Sequence, residues 1–323
     1  MIFFKKYQNL ISQVTEKDIF TNELTELYEP MNYILHLGGK RLRPVMVLMA
    51  CDLFDGNLKD ALKPALALEF FHNFSLMHDD IMDKASLRRG KETVHVKYGV
   101  NTAILSGDAL LVQSYRMFED LPPDLFKKCV HLFSETAEKL CDGQQYDMNF
   151  ETQKEVDYEQ YLKMITGKTA VLVACALKLG ALIANVESQN AENMYEFGKH
   201  LGIAFQLRDD YLDLYGNQEV VGKKTGGDIY ENKKTILYIL AFQNADNQQK
   251  KELEYWFGEN SGDEEKLRHV TQIFNELSVG EKCMKLVQKH HETALEFLGK
   301  ISLPKEKKQP LYELADYLLV RES

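Results

Sequence analysis

The sequence predicts an all-α fold, on three observations. Apolar residues recur at intervals of three and four, the period of amphipathic helices, in seven long stretches: 61–84, 101–119, 125–150, 157–185, 190–215, 234–257 and 263–299. The alternating pattern typical of β-strands is nearly absent. The chain has 323 residues, is 45% hydrophobic and contains only 7 prolines, so long helices can enclose a large core.

Nothing in the sequence divides the chain into separate domains. No linker rich in Pro, Gly or Ser interrupts the helical stretches, and no repeat of fixed period indicates a solenoid. We therefore expect residues 1–323 to form a single all-α domain of about ten or more helices, too large for a four-helix bundle.

An acidic cluster in the first half of the chain predicts a metal site. Residues 77–90 read MHDDIMDKASLRRG, and Asp79 and Asp83 are four positions apart, so on a helix they share one face, about 5–6 Å apart between Cβ atoms. The two charges repel unless a cation joins them, and Mg²⁺ prefers carboxylate oxygens, water and phosphates. Arg88 and Arg89 could then bind the phosphates. A solvated acidic helix end is the alternative.

A second cluster repeats the first. Residues 205–213 read FQLRDDYLD and place Asp209, Asp210 and Asp213 at the same spacing, again among apolar residues. Two acidic clusters embedded in apolar helical patterns are hard to explain as surface charge. If they face each other across a cavity, they can hold several Mg²⁺ ions around a diphosphate.

Two glycine-rich basic segments are candidates for phosphate binding. GGKRLRP, residues 38–44, offers Lys40 and Arg43 beside flexible glycines, and Pro44 is expected at the first position of the next helix. GKKTGGDIYENKKT, residues 222–235, follows the second acidic cluster and could close over a diphosphate. Ordinary surface loops are the alternative in both cases.

Two further motifs leave alternatives open. TGKTA, residues 166–170, lacks the spacing of a phosphate-binding P-loop, and Gly167 predicts either a kink or a close approach that aims Lys168 and Thr169 inward, or an ordinary helix with one exposed lysine. EFFH, residues 69–72, matches the Glu-x-x-His of di-iron bundles, but no second copy occurs. His72 either touches a substrate or satisfies a core hydrogen bond.

Composition limits the class of protein and its compartment. A net charge of −10 and a pI near 5.5 disfavour nucleic acid as a partner. The 5 cysteines form no CxxC pair, which is typical of reduced thiols in a cytoplasmic protein. The first apolar run is too short for a signal peptide, and Lys178 interrupts the longest one, so we expect no transmembrane span.

Together these segments resemble the trans-prenyltransferases, or polyprenyl diphosphate synthases. The resemblance covers about residues 30–240 and is carried, in the family's order, by GGKRLRP, HDDIMDKASLRRGKETVH, LSGDALL, GQQYD, Lys168 with Thr169, FQLRDDYLD and GKKTGGDIYENKKT. It implies the isoprenoid synthase fold, a large helical bundle around a deep central cavity, usually as a homodimer. The C-terminal third carries no such motif, and we expect it to serve helical packing.

The resemblance also implies roles for individual residues. Asp79 and Asp83 would bind two Mg²⁺ ions and Asp209 a third, with Asp213 in support. The isopentenyl diphosphate site would consist of Lys40, Arg43, His72 and Arg89. The allylic diphosphate site would consist of Arg88, Lys168, Thr169, Gln206, Lys223 and Lys233. The expected catalytic residues are Asp79, Asp83, Asp209, Lys168 and Lys223.

The implied reaction is a head-to-tail condensation of isopentenyl diphosphate with dimethylallyl, geranyl or farnesyl diphosphate. A class I terpene cyclase also ionises diphosphates, but it needs no isopentenyl site, so GGKRLRP and the paired arginines disfavour it. A non-catalytic subunit of a two-component synthase would be expected to have lost acids or arginines, and here both clusters are complete.

Two phenylalanines bear on product length. Phe74 and Phe71 precede Asp79 on the same predicted helix, roughly 7.5 and 12 Å from it at about 1.5 Å per residue. In similar synthases an aromatic at the position of Phe74 forms the pocket floor. The expected product is geranylgeranyl diphosphate, or else farnesyl diphosphate; a medium- or long-chain synthase is the alternative. Without the resemblance, both residues would be read as ordinary core aromatics.

Overall fold

A computed structural model describes residues 2–216, 225–258 and 264–320. It is 80% helical, which confirms the all-α prediction. The first helices of the described chain are α1 Ile2–Thr15, α2 Thr25–His36, α3 Leu42–Leu53, α4 Leu58–Met82, α5 Val94–Tyr98, α6 Val100–Arg116, α7 Pro123–Thr152 and α8 Tyr158–Ile165. A π-helical turn, Thr166–Ala170, precedes α9 Val171–Ile183, α10 Ser188–Tyr215, α11 Gly227–Tyr230, α12 Ile236–Asn244, α13 Asn247–Gly258, α14 Glu264–Glu276, α15 Val279–Lys300 and α16 Lys305–Val320.

A short hairpin follows α4. Strands β1, Leu87–Arg88, and β2, Lys91–Glu92, pair antiparallel, with Leu87 opposite Glu92. Arg89 and Gly90 form its turn, both at positive φ, which suits a two-residue hairpin loop. The adjacent arginines therefore lie on a hairpin rather than on the helix that carries the acids.

The chain forms two compact units. Unit 1 comprises Met1–Ser134 with Cys175–Glu192, and unit 2 comprises Glu135–Ala174 with Asn193–Ser323. The division passes through α7, α9 and α10 and not through loops. The expectation of a single domain stays a prediction.

In unit 1, α4 packs against α3 and α6. Asn57 caps the start of α4 by accepting a hydrogen bond from the backbone N–H of Lys59 at 3.1 Å. The helix is buried over most of its length and ends at Met82. Its buried face fixes its direction, so the acids of its last turn and the phenylalanines of its middle turns are held by one rigid element.

The core of unit 2 is drawn from α8, α10, α12, α14 and α15, and it includes fully buried Tyr161 and Leu207. A capping box, in which Asp157 and Gln160 bond each other's backbone N–H groups, starts α8. This core places α8 and α10 side by side, which brings the TGKTA segment to the second acidic cluster.

One helical stretch of the described residues is long and apolar enough to cross a membrane. It runs over Tyr158–Ile183, through the π-helical turn, and 72% of its most apolar window is buried inside the protein. Burial of this kind is typical of a core helix.

Candidate active site

The first acidic cluster occupies the last turn of α4. The backbone N–H of Asp83 donates to the carbonyl of Asp79 at 2.8 Å, so the helical spacing of the two acids persists although α4 ends one residue earlier. Asp79 is half-buried and Asp83 is exposed. Both carboxylates therefore lie on one face of a helix end that solvent and ligands can reach.

Asp80, between them, has a different role that the sequence did not indicate. It is buried, and its two oxygens accept three hydrogen bonds from Arg88, at 2.7, 2.8 and 3.0 Å. A bidentate pair of this kind fixes the plane of the guanidinium. Asp80 thus anchors Arg88, whose side chain remains 25% exposed and can still donate to an anion.

The basic residues of unit 1 converge. The Arg43 Nη1 atom lies 3.1 Å from His72 Nε2. Burial lowers the pKa of His72 well below its usual value, and Arg43, Arg89 and Arg88 lower it further, so the ring is neutral and accepts from Arg43. Burial also lowers the pKa of Arg43, to about 10. These charges form a basic cluster suited to an anion, with exposed Lys40 on the adjoining loop.

Gly39 brings the two basic segments together. It has φ +127°, and a Cβ at this position would lie 2.7 Å from the guanidinium carbon of Arg89. Any larger residue would displace Arg89, so the glycine makes room for the hairpin arginine. The GGKRLRP and RRG segments, distant in sequence, form one surface.

The helix after GGKRLRP begins earlier than expected. Arg41, at φ +48°, precedes α3, which starts at Leu42, so Pro44 is its third residue and not its first. The prediction for Pro44 is wrong, but the proline costs no hydrogen bond, because N–H groups of the first turn have no intrahelical partner.

Glu69 supports this basic cluster. It is buried, and its Oε1 accepts from Asn73 Nδ2 at 3.1 Å. Its charge raises the pKa of Arg43 against the effect of burial. Glu69 is thus a counter-charge to the arginines, which agrees with the rejection of a di-iron role for EFFH.

A cavity of about 400 Å³ lies in unit 2 beside the second acidic cluster. Its acidic and basic lining residues are Asp147, Asp209, Asp210, Asp213, Asp228, Lys168, Lys233 and Arg208. The lining also includes Leu318 of α16, so the C-terminal helix contributes to the site. Beyond the helical packing expected of the last third, Leu318 thus belongs to the cavity wall. The sequence does not indicate this role, because one apolar residue in a helical pattern carries no signal of its own.

A hydrogen-bond network ties the middle aspartate to the cavity wall. Asp210 accepts from Gln206 Nε2 at 2.9 Å and from the hydroxyl of Tyr161, and Gln206 Oε1 accepts from Thr169 at 2.9 Å. Burial raises the pKa of Asp210 to about 6, against these hydrogen bonds, and nearby Asp209 adds to the increase. Thr169 and Gln206, both predicted from sequence, thus form one polar wall. Tyr161 was not predicted.

Asp213 holds the segment that follows it. Its Oδ2 accepts from the backbone N–H of Asp228 at 3.1 Å, and its carbonyl accepts from Gly226 N–H at 2.8 Å. Burial, together with the charges of Asp210 and Asp213, raises the pKa of Asp228 to about 8. Asp228 is not among the site residues predicted from sequence, although its position inside GKKTGGDIYENKKT could have indicated it.

The TGKTA segment shows both features predicted for it. Residues Thr166–Ala170 form a π-helical turn, a distortion frequent at functional sites. Gly167 and Gly143 pass so closely that a Cβ on Gly143 would lie 2.3 Å from the backbone nitrogen of Lys168. Lys168 consequently reaches the cavity, where it forms an ion pair with Asp147.

The two described lysines of the basic segment 222–235, Lys233 and Lys234, make different contacts. Lys233 lines the cavity and pairs with Glu231 at 2.6 Å, while Lys234 donates to the carbonyl of Phe150 at 2.8 Å. Partial burial alone would lower the pKa of Lys233, but Glu231, Asp228 and Asp147 raise it, so this lysine stays charged. Lys223 and its neighbour Lys224 lie outside the described residues.

The donor sets fit Mg²⁺ better than a metal held entirely by protein. Among residues 2–216, 225–258 and 264–320, no three His, Cys, Asp or Glu side chains converge closely enough to hold an ion by themselves. Mg²⁺ is usually bound by one or two carboxylates together with water and substrate phosphates. Burial first, and then the charges of Asp210 and Asp213, raise the pKa of Asp228, and a divalent ion would offset that clustered negative charge.

The two phenylalanines of α4 differ in burial. Phe71 is 1% exposed and its ring lies 5.1 Å from that of Phe133. Phe74 is half-buried, 5.6 Å from the Phe71 ring and 4.7 Å from the His78 ring. Phe74 is thus the more accessible residue, with Phe71 behind it in an aromatic cluster.

An all-α fold that carries acidic helix faces and clustered cationic groups is typical of enzymes that act on diphosphates with the help of a divalent metal. The family model for polyprenyl synthetases matches residues 24–274. The chain belongs to this family, whose members are prenyltransferases, generally dependent on Mg²⁺.

Relatives and solved structures agree with this assignment. The chain is 43% identical to a geranylgeranyl diphosphate synthase of Methanosarcina mazei over 220 residues, 68% of each chain. It is 35% identical to the enzyme of that name from Sulfolobus acidocaldarius over 309 residues, 94% of this chain and 93% of the relative. A crystal structure of a geranylgeranyl pyrophosphate synthase matches with a TM-score of 0.94 at 44% identity, covering 99% of each chain. These similarities confirm the isoprenoid synthase fold.

Proposed function

We propose that the chain condenses isopentenyl diphosphate head-to-tail with allylic diphosphates and makes a short-chain trans-prenyl diphosphate, geranylgeranyl or farnesyl diphosphate, with release of diphosphate. The observation that carries this proposal is the cavity of unit 2. It joins Asp209 and Asp213 to Lys168 and Lys233, so carboxylates for metal and cations for phosphate line one cavity of about 400 Å³. The family and the synthases to which the chain is similar support the reaction class.

The charged residues of the two units have separate roles in this proposal. The basic cluster of Arg43, His72 and Arg89, with Lys40, binds isopentenyl diphosphate. Arg43 suits this role because burial leaves its guanidinium poorly solvated. Hydrogen bonds to a bound phosphate would replace the hydrogen bonds to water that burial has removed. The allylic diphosphate is bound by Lys168, Thr169, Gln206, Lys233 and Lys223, together with Arg88.

Three Mg²⁺ ions complete the proposed site. Asp79 and Asp83 would hold two, and Asp209 would hold one with support from Asp213. When bound, Mg²⁺ stabilises negative charge on the departing diphosphate. Lys168 and Lys233 add positive charge at the leaving group as the allylic carbon–oxygen bond breaks. The resulting cation is attacked by the isopentenyl double bond, and a proton is then lost to the departing diphosphate.

The cavity wall has a further task, which is to keep water from the allylic cation. Met164, Ile165, Phe205, Leu212 and Leu318 supply apolar surface among the charged groups. The polar atoms of Thr169 and Gln206 bond each other, so they are held in place before substrate binds. No protein nucleophile is needed, because the diphosphate itself leaves and accepts the proton.

The proposed product length rests on α4. Since α4 is continuous from Leu58 to Met82, Phe74 and Phe71 lie on the helix that carries Asp79, as the sequence predicts. We propose that Phe74 forms the floor for the growing chain and that Phe71 supports it from behind. This arrangement favours a short product over the medium or long chains of the alternative.

A homodimer is part of the proposal, and α6 offers the surface for it. Val100, Ile104, Leu105 and Val112 are between 41% and 59% exposed along this helix. Asp108 and Arg116 lie one turn on either side of Val112, so two antiparallel copies of α6 centred on Val112 would pair the acid of one with the arginine of the other. V112E should therefore shift the sedimentation coefficient towards that of a monomer, and an unchanged value would contradict this surface.

The cytoplasm is the proposed compartment. All 5 cysteines lie in the described residues and none of them forms a disulfide there, and Cys51, Cys129, Cys175 and Cys283 are buried. Thiols in such positions are typical of proteins kept in a reducing compartment.

A product assay tests the proposal. The purified protein is incubated with labelled isopentenyl diphosphate, Mg²⁺ and each allylic primer, and the products are sized by chromatography. We expect chains of fifteen or twenty carbons to accumulate. A hydrocarbon formed from one allylic substrate would indicate a cyclase, and absence of product from the protein alone would indicate a partner subunit.

A further inference from the structure

One lysine of unit 2 is buried where a charge is costly. Lys266 on α14 is 0% exposed, although lysines are almost never fully buried unless they are paired. Its ammonium group donates to Asn232 Oδ1, and it lies 5.8 Å from the centre of the Phe257 ring. Burial of an ammonium costs free energy unless its hydrogen bonds are kept, and Asn232 supplies one of them.

The partner of Lys266 sits at a turn next to the cavity. Asn232 has φ +57°, a left-handed conformation that asparagine tolerates better than most residues. Its N–H donates to the carbonyl of Ile229 at 3.2 Å, and the N–H of Lys233 donates to the carbonyl of Asp228 at 2.9 Å. The turn therefore sets the direction of Lys233, the lysine that lines the cavity.

Helix α14 holds the other end of the same segment. Gly226 has φ +74°, and a Cβ there would lie 2.3 Å from Leu267 Cδ1, so the backbone is pressed against α14. Asp213 of α10 binds the N–H groups of Gly226 and Asp228. The segment Gly226–Lys233 is thus held between two helices, by Leu267 at its start and by Lys266 at its end.

We propose that Lys266 is a positioning residue, which fixes the turn at Asn232 so that Lys233 stays at the cavity. The inference rests on the proposed function for the identity of the bound anion, the allylic diphosphate. Loss of the Lys266 ammonium frees the turn and weakens the binding of that diphosphate. Binding of isopentenyl diphosphate, which is assigned to the basic cluster of unit 1, is unaffected.

The test compares variants that keep or remove this contact. K266M removes the ammonium but keeps a side chain of similar length, and replacing a buried charge by an apolar group is often neutral or stabilising. N232G keeps the positive φ without the amide, while N232D keeps an acceptor for Lys266. We expect K266M and N232G to raise the KM for the allylic primer about tenfold, with an isopentenyl KM within about twofold of wild type. N232D should behave like wild type.

A matched control is Lys308, another buried lysine of unit 2. Its ammonium bonds backbone carbonyls at the end of α15, among them that of Ile301 at 3.2 Å. K308M should change the melting temperature and leave both KM values near wild type. If K308M raises the KM for the allylic primer as much as K266M does, the effect follows from the loss of any buried lysine, and the proposal is wrong.

A second readout separates this inference from the proposed function. Binding of inorganic diphosphate with Mg²⁺ is measured by calorimetry, and hydrogen exchange is followed over residues 226–235. K266M should bind diphosphate about tenfold more weakly and exchange faster in this segment, even if the wild-type protein made no prenyl product. Unchanged diphosphate affinity and exchange in K266M would overturn the inference while leaving the condensation assay valid.

Discussion

The carboxylate of Asp213 accepts a hydrogen bond from the backbone N–H of Asp228 at 3.1 Å, which brings two acidic side chains to the wall of one cavity. Asp210 lies close to both and is buried. Ionising all three of these poorly solvated carboxyl groups lowers the stability of the folded protein in the absence of metal. The cost appears as the raised pKa of Asp228, about 8, and of Asp210, about 6.

This cost predicts a pH dependence of stability. Both pKa values lie above the ordinary 3.8, so the folded protein keeps protons that the unfolded chain has released. Without metal, stability should therefore fall as the pH rises from about 4 to about 8. D228N removes one charge and should raise the melting temperature at pH 8 by at least about 2–4 °C, the shift that 1 kcal/mol gives a domain of 150–250 residues.

Mg²⁺ should reverse this trend in the wild-type protein. The ion is expected to raise the melting temperature more at pH 8 than at pH 6, because the carboxylates then carry the charge that it neutralises. In D228N the difference between the two pH values should shrink. Scanning calorimetry at both pH values, with and without Mg²⁺, measures this. An equal effect of Mg²⁺ in both proteins would show that Asp228 is not part of the charge excess.

Removal of either acidic cluster should abolish condensation. D79A and D209A each remove a proposed metal ligand, and we expect turnover at saturating Mg²⁺ to fall by about 10²–10³-fold or more, as for loss of a main electrostatic group. Circular dichroism should be unchanged. E138Q, which alters an exposed acid of α7, is the control and should keep full turnover. Wild-type turnover in D79A or D209A would disprove the two-cluster metal site.

The two diphosphates should be separable by mutation. R89A should raise the KM for isopentenyl diphosphate about tenfold, and K168A should do the same for the allylic primer, because each removes one charge-assisted contact. Arg89 is a better probe than Arg88, since loss of Arg88 would leave buried Asp80 without its ion-pair partner, at a cost of about 3–5 kcal/mol. Equal losses for both substrates in both variants would contradict the separate assignments.

Product length should depend on Phe74. F74A is expected to yield longer chains, and F71A with F74A longer ones still, because both removals open space beside α4. F71A should also cost about 3–5 kcal/mol, since Phe71 is a core residue. F118A is a matched control, a fully buried aromatic 5.3 Å from the same Phe133, and should lose stability without altering chain length. Mass spectrometry of the products decides. An active F71A/F74A variant with unchanged products would show that these residues are not the floor.

Much of this protein could be predicted from its sequence, because the signals are local. The apolar period of three and four predicts the helices, and the paired spacing of Asp79 with Asp83 predicts one helix face. Gly167 in a helical pattern predicts a local distortion, and the structure has a π-helical turn there. In each case the chain positions that matter are within one or two turns of each other, where helical geometry alone sets their distance.

Other features were decided by tertiary structure. Asp80 resembles its neighbours in sequence but pairs with an arginine of the following hairpin, and Asp210 is buried against Tyr161 of another helix. Leu318 reaches the cavity from the last helix, and Lys266 reaches the turn at Asn232 from α14. Each of these contacts joins residues of different secondary-structure elements, and burial then changes their hydrogen bonds and pKa values. Local spacing determines which side chains share a helix face, whereas only tertiary packing determines which face is buried from solvent and which residues it contacts.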